Sequence, residues 1–410
     1  MDSTEIERIA AWVVKRGLAG MVEADLLRSF CEECRQSGLD LSTAAAVMDT
    51  LHPVYEGRAF LWRRDGAEES PLIEYGSTAE GEAAADWQKT VFFHLLTTGA
   101  DELRRRIGRD HSTEFTTLEE LKEEGETDYI AFIQRFAKDM VIGEMDCFYS
   151  HWTTRAPEGF DDADLEALRR LVPNLALAIK CAALARIAGT LVEVYLGRDA
   201  GQRVLRGLIS RGVAEPINTV LWFSDLRGYT TIVDTTSPDT IIPLLNDYAE
   251  AVISSIHEAG GDVLKLIGDG VLAVFNTDDP ADACRRALRA EANLRTRIET
   301  LNARRAAEGH PVTNVYLGLH IGDVFYGNIG SDERLDFTVV GPAVNEVSRI
   351  ASMCRSVDRF IVVSAEFAAA TPQPERADFV SVGRYALRGV ARAQELFTLD
   401  PGIRSASVAR

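Results

Sequence analysis

Between residues 218 and 330, apolar runs of strand length alternate with long helical patterns, and that order constrains the fold more than any other feature of the chain. NTVLWFSD reads as a strand, SPDTIIPLLNDYAEAVISSIHEAGG as a helix, and DVLKLI-GDG-VLAVF as a hairpin. DPADACRRALRAEANLRTRIETLNARR is a second long helix, and VTNVYLGLHIGDVFYGNIG supplies two further strands. LDFTVV (strand), AVNEVSRIASMC (helix) and the short strands RFIVVS, FVSVG and LFTLD follow. The β-α-β-β-α-β succession predicts an α+β fold with an antiparallel sheet and helices on one face, the ferredoxin-like arrangement.

One element resists a purely structural explanation. In KLIGDGVLAVF a turn accounts for the glycines, but not for Lys265 among Val263, Leu264, Leu266 and Ile267. Asp225 ends the first strand, in FSDLRGYT, and Asp269 occupies the hairpin turn. The first and third elements of such a fold are neighbours, so the two carboxylates could meet at one sheet end. Held together they are costly unless a cation joins them, and Mg²⁺ accepts a few carboxylates plus substrate phosphates. Gly228, Gly268 and Gly270 would let backbone and phosphate approach closely. The alternative for Asp269 alone is an ordinary Asp-Gly turn.

The joint pattern separates these readings. FSDLRGYT, LKLIGDGVLAVF, GLHIGDVFYGNIG and FTVVGPAVNEVSRI occur in that order, and together they resemble the class III nucleotidyl cyclase catalytic domain over about residues 215–400. The resemblance implies that Asp225 and Asp269 hold two Mg²⁺ or Mn²⁺ ions and that Lys265 reads the purine. A lysine donates to adenine N1, whereas guanine presents an N1–H donor there. Thr338 falls where many family members carry an aspartate that accepts from the adenine amino group. Threonine also accepts, and the Lys–Thr pair resembles a bacterial subset of adenylate cyclases. Asn345 and Arg349 match the pair that orients the ribose and stabilises the transition state, and their i, i+4 spacing puts both on one helical face. Arg388 sits where the family has a basic residue for the terminal phosphates; a plain surface arginine is the alternative. The implied function is conversion of ATP to cyclic AMP and pyrophosphate. A guanylate cyclase and a catalytically silent nucleotide sensor are the alternatives. A diguanylate cyclase fits less well, because Asp262 of AGGDVLKL begins a strand instead of occupying the hairpin turn. The family builds each site from two subunits, and one chain here carries both residue sets, which implies a homodimer.

The first two hundred residues are less legible. Residues 3–50 read as two or three short helices, and RAFLWRR and MDCFYSHWTT as strands. DWQKTVFFHLLTTGADELRRRIG and LEELKEEG read as helices, and Asp161 or Asp162 is the expected cap of the helix that follows. FYSHWTTRAPEGFDDADLEALRRLVPNLALAI resembles the closing strand and helix of GAF-like sensor domains. The expected organisation is a helical segment (1–50), a GAF-like domain open to a small-molecule effector (51–185), a helical linker (186–214) and the cyclase domain (215–400). Leu177, Leu184 and Leu191, with Ile187 and Val194, form a short a/d stripe suited to dimerisation or to packing on their own domain.

The net charge of −19 argues against general binding to nucleic acid or an anionic membrane. With no basic n-region and no uninterrupted run of about 20 apolar residues, the chain is expected in the cytoplasm. Six cysteines without paired spacing agree with a reducing compartment. Cys31 and Cys34 form one C-x-x-C in a helical pattern, read as a buried helix face.

Overall fold

The structure, a computed structural model, describes residues 1–66, 71–107, 115–136, 142–143, 145–276, 278–390 and 392–400. The chain divides into two compact units, Met1–Leu191 and Val192–Arg410.

The first unit opens with α1 (Ser3–Leu18), capped by the Asp2 carboxylate accepting from the Glu5 amide, and α2 (Glu23–Gln36). Then come β1 (Thr43–Asp49), β2 (Gly57–Arg63), β3 (Leu72–Tyr75), α3 (Gly81–Gln88), α4 (Val91–Thr98) and β4 (Glu102–Arg106). It continues through α5 (Thr116–Glu123), β5 (Asp128–Arg135), β6 (Cys147–Thr154) and α6 (Asp162–Leu196), the last capped by Asp161. The six strands form one antiparallel sheet in the order β3-β2-β1-β6-β5-β4. Alternation along β6 separates two cores: Phe148 and Trp152 join Ile9, Phe30, Leu171 and Ile179 on one face, while Tyr149 joins Leu95 and Leu118 on the other. Cys31 and Cys34 are buried thiols in the first of these cores, as a helix face requires.

Two expected helices are strands. TAAAVMD forms β1, flanked by β2 and β6, so residues 1–50 supply a central strand and two helices to a shared core instead of standing apart as a helical segment. Alanine's helix propensity misleads there, because pairing on both edges outweighs it. ELRRR forms β4, the edge strand beside β5, rather than extending α4, which stops at Gly99.

The long stretch expected partly as linker is helical to Leu196, where α6 ends before Gly197. By length and composition α6 could cross a bilayer. Leu165, Leu168, Leu171, Leu175 and Ile179 pack its first half into the core of the first unit, and 33% of its most apolar window is buried. The a/d stripe splits along it: Ile187 is buried, whereas Leu177 and Val194 are exposed.

The second unit comprises α7 (Arg198–Leu205), β7 (Ala214–Leu226), α8 (Tyr229–Thr235), α9 (Pro238–Glu258), β8 (Asp262–Ile267), β9 (Gly270–Phe275) and α10 (Pro280–Ala307). After it come β10 (Val315–Gly330), β11 (Leu335–Val340), α11 (Pro342–Val357), β12 (Ile361–Ser364), α12 (Ala365–Ala370), β13 (Phe379–Tyr385) and β14 (Gln394–Leu399). The sheet runs β13-β14-β12-β10-β7-β9-β8, with β11 paired to β10. Its centre, β10-β7-β9-β8, is the 4-1-3-2 order of a βαββαβ unit, as expected from the sequence. Trp222 and Phe275 lie with Leu244, Ile256, Leu294 and Ile298 under α9 and α10; Leu221, Leu272, Val339 and Val347 fill the opposite face. The two strands expected in 315–330 are one, because β10 follows the thirteen-residue β7 along its full length and the Asn218 amide donates to Asp323 at 2.8 Å.

Candidate active site

β7 and β9 are hydrogen-bonded neighbours with Ser224 opposite Val271, so the end of β7 arrives beside the β8–β9 turn. Gly268, at φ +64°, makes that turn at no steric cost and presents Asp269 at its tip. The Leu226 amide donates to Asp269 Oδ2 at 3.2 Å, which draws this carboxylate against Asp225. Burial, then a hydrogen bond to Asp269 and that residue's charge, push the Asp225 carboxyl up to about 7. Without a cation the pair therefore holds a proton near neutral pH. Two hard oxygen donors at the mouth of a cavity of about 190 Å³, also lined by Asn246, Tyr248, Leu266 and Gly268, suit a divalent ion that completes its shell from phosphate and water. Among the described residues no cluster of three or more His, Cys, Asp or Glu forms a closed cage for such an ion.

Lys265 extends from β8 at a bulge in the pairing with β9 and is exposed. Its ammonium is ion-paired with the Asp336 carboxylate on β11. Asp336 and Thr338, two residues apart on a strand, share one face, while Phe337 and Val339 turn into the core behind them. The structure thus puts Thr338 on the face that meets Lys265, together with an acid that motif matching passes over. The alternation in LDFTVV was the available signal: whatever face Thr338 presents, Asp336 shares.

Asn345 and Arg349 are exposed on α11, one turn apart, opposite the buried Ala343, Val347 and Ile350. Neither is hydrogen-bonded to the aspartate pair or to Lys265. Arg388 is exposed in the turn between β13 and β14, at the sheet edge opposite β8. Within one chain the residues thus fall into separate groups: a carboxylate pair at the β7–β9 end, a lysine–acid couple between β8 and β11, the polar face of α11, and an isolated arginine.

Residues 213–400 match the model of the adenylate and guanylate cyclase catalytic domain. An adenylate cyclase of Anabaena cylindrica is 34% identical over 160 residues, covering 38% of this chain and 31% of that protein. The chain spans about a third of the length of the curated relatives it matches. Among solved structures, the adenylyl cyclase CyaB from P. aeruginosa is 24% identical with a TM-score of 0.42, covering 46% of this chain and 95% of that one. The guanylyl cyclase Cya2 is 24% identical with a TM-score of 0.41, covering 45% and 93%.

Proposed function

We propose that this protein, whose residues 213–400 match the adenylate and guanylate cyclase catalytic domain, is an adenylate cyclase that converts ATP to 3′,5′-cyclic AMP and pyrophosphate at a site shared by two copies of the chain. The observation that carries the choice of base is the couple of Lys265 with Asp336 and Thr338. An ammonium donor beside oxygen acceptors complements adenine, whose N1 accepts and whose 6-amino group donates. Guanine offers the reverse pattern, N1–H and O6.

Asp225 and Asp269 would hold Mg²⁺ or Mn²⁺, two ions per site by family resemblance. When bound, divalent metal lowers the pKa of the ribose 3′-hydroxyl and neutralises charge on the α- and β-phosphates. Metal binding requires Asp225 to give up its proton, so occupancy rises with pH through the neutral range. Lys265 and Thr338 orient the base, while Asn345 and Arg349 act from one face of α11 on the ribose and the charge developing at the α-phosphate. Arg388 would meet the terminal phosphates.

The homodimer is supported by the division of these groups within one chain. A head-to-tail pair would bring the aspartates of one copy to the lysine couple of the other, twice. A GAF-like role for the first unit, with regulation through α6, is part of the same reading. So is a cytoplasmic location, supported by six free cysteines, five of them buried.

The test is turnover of the full chain with ATP or GTP under Mg²⁺ and Mn²⁺, following cyclic product and pyrophosphate together. Cyclic AMP with a clear preference for ATP is expected. A preference for GTP would make it a guanylate cyclase, and no product from either would leave a nucleotide sensor.

A further inference from the structure

The first unit contains a cavity of about 380 Å³ on the sheet face turned away from α1 and α2. That volume lies within the range of small-molecule sites. Its floor is built by strand register. Asp49 on β1, Gly57 on β2 and Tyr75 on β3 stand in one row across three strands. A Cβ at Gly57 would fall 2.0 Å from the Tyr75 hydroxyl oxygen, so only glycine lets the tyrosine ring cross β2. Having crossed, the hydroxyl donates to Asp49 Oδ1 at 2.9 Å. Tyr149 of β6 continues the floor, and Trp87 of α3 stands over it with ring centroids 5.7 Å apart at 79°. Glu56 is fixed at the rim by the Thr78 amide at 2.6 Å and by the Thr78 hydroxyl, and Asp146 lines the other side.

Among the described residues the lining therefore combines three carboxylates with three aromatic rings and includes no lysine, arginine or histidine. Such walls repel phosphate and carboxylate ligands. Aromatic faces beside carboxylates attract cations, and cation–π contacts contribute about 0.5–2 kcal/mol each. The carboxylates do not converge on one point, since no group of three metal-binding side chains occurs among the described residues. A bare metal ion would leave the rings unused and could not reach all three acids. The Tyr75 hydroxyl feels the same field: burial, then the charge of Asp49 with Glu56 behind it, pushes its pKa far up.

We propose that this cavity binds a small organic cation, an alkylammonium or polyamine compound, with each positive group beside one of Asp49, Glu56 and Asp146 and its carbon chain against Tyr75, Trp87 and Tyr149. The site is independent of the cyclase reading, because it needs only the first unit. It also restricts the effector expected from the sequence to one charge class, against a cyclic nucleotide.

The test is calorimetric titration of the full chain with choline, putrescine and spermidine, with cyclic AMP and Ca²⁺ as controls, following tryptophan emission in parallel. At least one of the three amines should bind saturably and perturb the emission. Trp87→Leu, at a half-exposed position, and Glu56→Gln should each weaken that binding by about tenfold, the loss of one cation–π contact or one charge. Circular dichroism would verify that both variants keep the parent fold. Three results would each overturn the proposal: no saturable amine binding up to about 10 mM, amine binding unchanged in both folded variants, or cyclic AMP binding that Trp87→Leu abolishes.

Discussion

Replacing Asp225 by asparagine should abolish catalysis and at the same time stabilise the metal-free protein, with a pH dependence that identifies the cause. In the folded chain the Asp225 carboxyl is raised from 3.8 to about 7 by burial and by Asp269. A carboxyl raised in this way contributes stability that is fully present below the unfolded value, near 4, and is lost as pH rises through about 7. Taken at face value, three units correspond to about 4 kcal/mol. Asp225 keeps substantial access to solvent despite this partial burial, and screening reduces the figure to about 1 kcal/mol. Asparagine has the shape of the protonated acid and can still donate to Asp269, so the variant keeps at pH 8 what the parent has lost. For a unit of this size, about 1 kcal/mol moves the melting temperature by about 2–4 °C. The assay is a thermal melt in EDTA at pH 5 and pH 8, repeated with Mn²⁺. The variant should melt higher than the parent at pH 8, and the gap should shrink at pH 5. Mn²⁺ should raise the parent's melting temperature at pH 8 through binding to the native state and leave the variant unmoved. A variant that melts lower at pH 8 in EDTA, or gains as much from Mn²⁺ as the parent, would refute the carboxylate-pair argument.

Asp269→Asn should cut the proposed cyclase turnover by about a hundredfold or more while leaving the circular dichroism spectrum unchanged, since it removes the charge proposed to hold metal and not a core contact. Lys265→Glu combined with Thr338→Cys should lower the ATP:GTP ratio of kcat/KM; an unchanged ratio would remove both residues from base recognition. Asp336→Ala frees the Lys265 ammonium and should raise KM for ATP more than it lowers kcat, by about tenfold for the loss of one oriented ionic contact. Mixing inactive Asp225→Ala and Asn345→Ala proteins should restore activity once subunits exchange, because one of the two shared sites then contains no substitution; exchange without rescue would argue for sites within single chains.

What the sequence determined alone is local in origin. The helix and strand periods of residues 218–330, the Gly-Asp-Gly turn and the i, i+4 pair Asn345 and Arg349 each depend on residues within a few positions of one another. For that reason the βαββαβ order was legible in the sequence, and the pairing of β7 with β9 that this order implies carries Asp225 to Asp269. Local preference misleads where distant pairing overrides it. TAAAVMD has a helical composition, but its amides are satisfied by β2 and β6 on either side. ELRRR closes the sheet edge against β5, and the two strands expected in 315–330 are one because β7 pairs along β10 from Val315 to Gly327. Only the tertiary structure brings Asp336 across 71 residues to Lys265. Only the register of β1, β2 and β3 aligns Asp49, Gly57 and Tyr75 into the floor of a cavity. Periodicity states which face of an element is buried; which partner meets that face is settled by chain closure and packing, where contacts far apart in sequence are gained together.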